Sequence, residues 1–238
     1  MFRRRRTADE PDYEEPYSEE GQPDQAPEGA GPWDAGEPHP EVERVDLGSL
    51  RVPIGAGHEI QLVMAEQHGA WITVSKGDSE MQVQAFAAAR NSSLWDDVRL
   101  EIAAEVNGSG GRSEEVAGPF GVELLAEVPA EPGQPAAGLR LVRFVGVDGP
   151  RWFLRGLFRG PAAAGGDQAA YLEEVFRDVV VVRGEHPVPP REILELRLPP
   201  EAQRAFEESA AQAAAAAEGR FPADLNPFER GPEFTETR

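Results

Sequence analysis

The chain has 238 residues, 43 of them acidic and 23 basic, for a net charge of −20, and it contains no cysteine. The absence of cysteine excludes a disulfide framework, a thiolate metal centre, an iron–sulfur cluster and a cysteine nucleophile. The acidic balance argues against nucleic acid as a partner, because phosphate binding draws on clustered Lys and Arg, and no run of about 18 apolar residues is present to span a membrane.

Residues 1–44 carry 13 acids, 5 arginines and 7 prolines with few aliphatic side chains. Such a composition cannot bury enough apolar surface to offset chain entropy, which predicts a disordered acidic arm. Its tip, Phe2 followed by Arg3, Arg4, Arg5 and Arg6, is basic. That tip would give at most weak peripheral contact with an anionic lipid surface. Thr7-Ala8-Asp9-Glu10 follows where a secretory signal would need an apolar stretch, so the expected location is cytoplasmic. Residues 45–198 then read as one domain, long enough to bury a substantial core.

Ile60, Leu62 and Met64 alternate as a strand. Gly69 to Ala88 reads as a hairpin: Trp71, Ile72 and Val74 on the first strand, Lys76-Gly77-Asp78-Ser79 at the turn, and Met81, Val83 and Ala85 alternating with Glu80, Gln82 and Gln84 on the second. The period then changes to helical, with Leu94, Val98 and Ile102 recurring every four residues. Ser93 is placed as its N-cap and Asn107-Gly108 as its stop. Val122, Leu124, Ala126 and Val128 alternate as a strand, Leu139 to Val147 forms another, and Arg151 to Arg159 returns after a turn at Asp148-Gly149-Pro150. Asp167 is placed as the cap of a helix carrying Leu172, Val175, Phe176 and Val179, and the apolar run Val179 to Val182 reads as a buried strand. Both halves therefore show three strands followed by one helix. The expected class is α+β, a mainly antiparallel sheet with two packed helices.

Residues 199–220 hold a seven-alanine cluster and predict an Ala-rich helix. Residues 221–238 read as a disordered tail, with Asn226, Pro227 and Phe228 as a short partner motif.

The run Gly149-Pro150-Arg151-Trp152-Phe153-Leu154-Arg155-Gly156, with Arg183-Gly184, Pro187, Pro190 and Leu194-Glu195-Leu196-Arg197-Leu198-Pro199, resembles an uncharacterised family of high-GC Gram-positive (actinobacterial) bacteria, the domain-of-unknown-function family thirty-seven ten. The resemblance covers about residues 42–200. It implies a cytoplasmic bacterial protein and brings no catalytic residues with it. The sandwich layout also resembles the fold shared by the photosystem extrinsic PsbP proteins and the Mog-type Ran-binding proteins, a likeness of fold that carries no function.

The chemical motifs are sparse. Gly55-Ala56-Gly57 has Ile60 where a dinucleotide loop needs its third glycine. Asn107-Gly108-Ser109-Gly110-Gly111 lacks the Lys-Ser/Thr pair of a phosphate loop, and no serine has a recognised nucleophile frame. His39, His58, His68 and His186 show no paired-ligand spacing, so no metal and no cofactor is expected. Asp97, Glu101 and Glu105 stack on the first helix, where three carboxylates could hold a hard cation, but read better as the solvated flank of its apolar stripe.

The 139–159 hairpin is the most informative element. A turn centred on Asp148-Gly149 sets Trp152 opposite Val145 and Leu154 opposite Arg143. One face is then core. The other alternates Arg140, Arg151, Arg155 and Arg159 with Phe144 and Phe153, and a row of guanidinium groups suits a carboxylate, a phosphate or an acidic peptide. The same arginines can instead pair with Glu173 and Glu174 of the covering helix. The leading functional reading is a non-catalytic protein-interaction module that presents Arg140, Arg151, Phe153, Arg155 and Arg159 to a protein partner. The alternative is a binder or enzyme for a small anionic ligand, using Arg143, Arg155 or Arg183 in a pocket lined by Trp71, Trp95 and Trp152.

Overall fold

The computed structural model describes residues 31–65, 69–90, 93–129, 138–199 and 202–204. In chain order the elements are β1 (Trp33–Asp34), β2 (Arg44–Asp46), β3 (Leu50–Pro53), β4 (Glu59–Ala65), β5 (Gly69–Lys76), β6 (Ser79–Ala87), α1 (Trp95–Gly108), β7 (Arg112–Gly118), β8 (Gly121–Pro129), β9 (Leu139–Gly149), β10 (Trp152–Arg159), a 3-10 turn (Gly160–Ala164), α2 (Asp167–Arg177) and β11 (Val180–Val181). The class is α+β, as the alternation of periods predicts.

Two meanders, β4-β5-β6 and β7-β8-β9-β10, are joined by antiparallel pairing of β6 with β10 into one seven-stranded sheet. A smaller sheet in the order β1-β11-β3-β2 lies beside it. The helices occupy opposite faces, as the two-residue period of the strands dictates. Ile72, Val74, Met81, Val83, Trp152, Leu154 and Phe158 pack against α2 and the small sheet. Phe86, Phe144 and Phe153 turn the other way, towards Trp95, Val98 and Ile102 of α1.

The Lys76–Ser79 hairpin forms as predicted, with Gly77 in the left-handed region at φ +57°. Other boundaries differ. Trp33–Asp34 falls inside the segment expected to be disordered, yet β1 pairs in parallel with β11, so regular structure begins upstream of residue 45. β7 has no apolar alternation because it is an edge strand, mostly exposed, reading Arg-Ser-Glu-Glu-Val-Ala-Gly. Residues 202–204 are helical; the rest of the expected Ala-rich helix and the Asn226-Pro227-Phe228 motif lie outside the described residues, as do the Arg3–Arg6 tip and His68.

The start of α1 corrects the Ser93 cap. Asp148, at the end of β9, accepts hydrogen bonds from the backbone amides of Leu94 (2.8 Å) and Trp95 (3.2 Å) and from the Ser93 hydroxyl (2.8 Å). A carboxylate from a distant strand thus satisfies amides that the helix cannot, and complements its dipole. Asp148→Ala is expected to cost about 1–2 kcal/mol in urea unfolding, as for loss of a strong cap; a loss below about 0.3 kcal/mol would remove this role from Asp148. At the other end the helix runs one residue past Asn107, and Gly110 at φ +86° closes it. Asp167 is the first residue of α2 rather than its cap, which is Gly166.

Residues 191–197 strap the two sheets together. Leu194 and Arg191 donate backbone hydrogen bonds to Ala85 and Ala87 of β6, and Arg197 donates to Leu47 beside β3.

Candidate functional site

The turn between β9 and β10 decides where the arginines go. Trp152 stands opposite Gly149, Leu154 opposite Val147 and Phe158 opposite Arg143. The pairing is therefore displaced by four residues from the expected one, and the loop is Pro150-Arg151. Proline cannot donate to a ladder but is preset for the second place of a turn, and Arg151 at φ +65° supplies the third. Gly149 sits beneath the Trp152 indole, where a Cβ would collide with the ring. An even displacement leaves every side chain on its predicted face.

Sharing a face does not bring the predicted residues together. Arg151 lies at the turn, beside Arg183, whose Nε donates to the Arg151 carbonyl at 3.2 Å. Arg140 and Arg159 lie at the opposite end of the sheet. Arg155 stands between them, and Phe153 is 1 % exposed under α1, stacked between Phe86 and Trp95. Phe153 is therefore core, not a partner contact, because α1 crosses onto this face.

Arg140 and Arg159 both line an open groove of about 780 Å³. The groove exists because β10 is shorter than β9. Pairing between them ends at Phe158 opposite Arg143, while Leu139 to Val142 pair with β8 alone. The chain leaves the sheet at Gly160, φ +70°, where a Cβ would meet the Asp78 carbonyl. Four residues of strand edge are left without a partner among the described residues. Ser75, Ser79 and Glu80 form the far wall. Arg159 Nη1 is 3.4 Å from Glu80 Oε1, a half-exposed pair, and Arg140 is exposed with no ion pair among the described residues.

The arginines of the small-ligand alternative have separate fates. Arg143 is shared by two carboxylates, Glu123 Oε2 at 3.3 Å and Glu173 Oε1 at 2.6 Å, with its guanidinium over the Phe158 ring. Glu123 is 1 % exposed and also accepts from the Phe120 amide. Burial holds its carboxyl above the ordinary range, and Arg143 opposes that shift. The helix pairing expected for the outward arginines thus falls instead to Arg143, on the opposite face: Glu173 reaches Arg143, while Arg159 meets Glu80 and Arg155 meets Gln84. Arg183 is occupied by the carbonyls of Arg151, His186 and Val188. Arg155 alone meets only a neutral partner, Gln84.

Trp152 and Trp95 lie on opposite faces of the sheet and do not converge. Trp152 is on the α2 side, where its Nε1 donates to Asp34 Oδ2 at 2.6 Å, whereas Trp95 caps the other face and donates to the Val122 carbonyl. His58 bridges the Tyr171 hydroxyl and the Pro53 carbonyl, each at 2.9 Å, so it is a structural link. Gly57 leaves room for that same Tyr171 hydroxyl, which explains the glycine pair without a nucleotide. Asp97 and Glu101 are bound by Arg191 at 3.3 and 2.7 Å, and among the described residues no group of three acids or histidines is placed to hold a metal ion. No helix among them is long and apolar enough to cross a membrane.

Residues 31–205 match a family described as a protein of unknown function (DUF3710). No curated protein and no solved structure matches the chain.

Proposed function

The chain belongs to the DUF3710 family, whose description gives no activity, and we propose that it is a non-catalytic interaction module whose groove takes an extended acidic segment of a protein partner. The observation that carries this reading is the unpaired edge of β9 at Leu139 to Val142, flanked by Arg140 and Arg159. An added strand would gain main-chain hydrogen bonds along that edge. Arg140 and Arg159 project from the same face of the sheet, so alternate side chains of the incoming strand meet them. Carboxylates at every second position satisfy that spacing, and charge-assisted pairs supply the selectivity. The same reading places the protein in the cytoplasm of a high-GC Gram-positive bacterium, supported by Ala-, Gly- and Arg-rich usage with a single lysine, Lys76. It gives the core a PsbP- or Mog-type sandwich, supported by two meanders with helices packed on the shared sheet. The acidic arm and the tail motif are accessory to this unit.

A capped Glu-Val-Glu-Val-Glu-Val peptide is the test probe, followed by backbone amide shifts. Shifts centred on Leu139 to Val142 are expected, weakening as salt is raised. Reversing both arginines, Arg140→Glu with Arg159→Glu, should abolish them while moving the unfolding free energy by no more than about 1 kcal/mol, as for exposed pairs. Shifts that bypass this edge, or that persist in the double variant, would remove the groove as the docking site.

A further inference from the structure

Arg155 stands near the middle of the seven-stranded sheet, between Gln84 of β6 and Gly146 of β9. Its guanidinium donates to Gln84 Oε1 and lies 5.3 Å from the Phe86 ring centre. Every other arginine named above has a carboxylate, a set of carbonyls or open solvent. Arg155 is half-buried with no carboxylate at ion-pair distance among the described residues: burial holds it below the ordinary arginine value, and the charge of Glu105 opposes that shift. A desolvated cation with only a neutral partner is an expensive arrangement unless something else completes it.

The guanidinium forms part of the floor of a cavity of about 260 Å³ between α1 and the sheet. The walls are apolar: Phe86 and Phe153 from the sheet, Val98 and Ile102 from the helix. Glu101, Glu105 and Arg191 line it as well, at the helix side and the strap. Arg191 holds Glu101 at 2.7 Å, which leaves Glu105 as the carboxylate with no ion pair among the described residues. The cavity therefore offers a cation at its base, an apolar body and an anion on its helix side. A plain anion would answer Arg155 and be repelled by Glu105. A cation would do the reverse. A zwitterion with an apolar side chain answers all three, and the volume, below that of pockets for drug-sized ligands, limits it to a small one. We propose that this cavity binds a free apolar α-amino acid, with its carboxylate on Arg155, its ammonium towards Glu105 and its side chain between the helix and the phenylalanines. The site is separate from the β9 groove and does not depend on it.

Calorimetric titration of the full chain with phenylalanine, leucine, phenylacetate and phenethylamine distinguishes the chemistry. Phenylalanine or leucine should bind, and the two analogues, each lacking one charge, should bind at least about tenfold more weakly, since hydrogen bonds to charged groups are worth about a tenfold to hundredfold change in affinity. Arg155→Met should abolish binding. Glu105→Gln should weaken phenylalanine about tenfold and bring phenylacetate level with it. Ile102→Trp fills the cavity from the helix and leaves Arg155 in place, so it decides the matter if Arg155→Met fails to fold; it too should abolish binding. The proposal is overturned if no amino acid gives heat up to about 10 mM, if phenylacetate binds as well as phenylalanine to the unaltered protein, or if binding survives Ile102→Trp.

Discussion

Replacing Arg143 with methionine is expected to lower the unfolding free energy by about 3–5 kcal/mol at pH 8, the loss that follows when one partner of a buried ion pair is removed. The cost comes from what is left behind. Glu123 is 1 % exposed, lies on the inner face of β8 and keeps only the Phe120 amide once the guanidinium has gone. Glu173, 16 % exposed, can turn to water. The loss should also depend on pH with a definite sign. Burial already raises the Glu123 carboxyl above its ordinary value, and Arg143 is the chief force holding it down. Without Arg143 the folded value rises further. A carboxyl with a folded value above its unfolded one binds protons more readily in the folded state, so stability falls as pH rises through the window between the two. The variant should therefore recover part of its loss between pH 8 and pH 5, and adding Glu123→Gln should restore most of the remainder by removing the charge. Urea unfolding at both pH values checks this. A loss that is the same at pH 5 and pH 8 and unrelieved by Glu123→Gln would mean that Arg143 acts through packing on Phe158 alone.

Trp152→Ala is expected to cost about 3–5 kcal/mol, as for truncation of a large buried ring. Trp152 is 2 % exposed in the core shared by the seven-stranded sheet, α2 and the small sheet. Its indole lies across Gly149, a position that admits no side chain. Its Nε1 reaches Asp34 of β1 at 2.6 Å, tying β1 to the main sheet. Trp152→Phe separates the two contributions: it keeps most of the ring and loses the hydrogen bond to a carboxylate, for which a loss of about 1.5–3 kcal/mol is expected. Asp34→Ala should cost a similar amount, and the pair should be less than additive because both remove one interaction. A Trp152→Ala loss below about 1 kcal/mol would contradict the packing described here.

Much of this architecture is written in local patterns. The alternation of Met81, Val83 and Ala85 with Glu80, Gln82 and Gln84, and the four-residue recurrence of Leu94, Val98 and Ile102, determine their elements because burial on one face requires that period and no other. Two halves ending in helices, a sheet built mainly of antiparallel neighbours, and the face on which each hairpin residue projects all follow from such runs. The family resemblance is carried by residues that the structure places at the β9–β10 turn and in the strap over β6, so the quoted signature marks joints of the fold.

What the local pattern lacks is any record of which distant group arrives to complete a position. Asp148 reads as a turn residue and acts as the cap of a helix more than fifty residues upstream in the chain. Trp33 and Asp34 read as part of an acidic arm and become strand only because the buried pair Val180–Val181 offers them a ladder. The hairpin register depended on Pro150, which must sit in the loop because it cannot pair, and on a glycine that yields space to an indole. The four outward arginines look equivalent in one strand pair; the crossing of α1 buries Phe153 among them and leaves Arg155 at the floor of a cavity, while the early exit of β10 at Gly160 opens the edge beside Arg140 and Arg159. Sequence alone determined the period, and with it the face of each side chain. Tertiary structure decided its neighbours, because hydrogen bonds, ion pairs and cavities are made between elements whose separation along the chain says nothing of their distance in space.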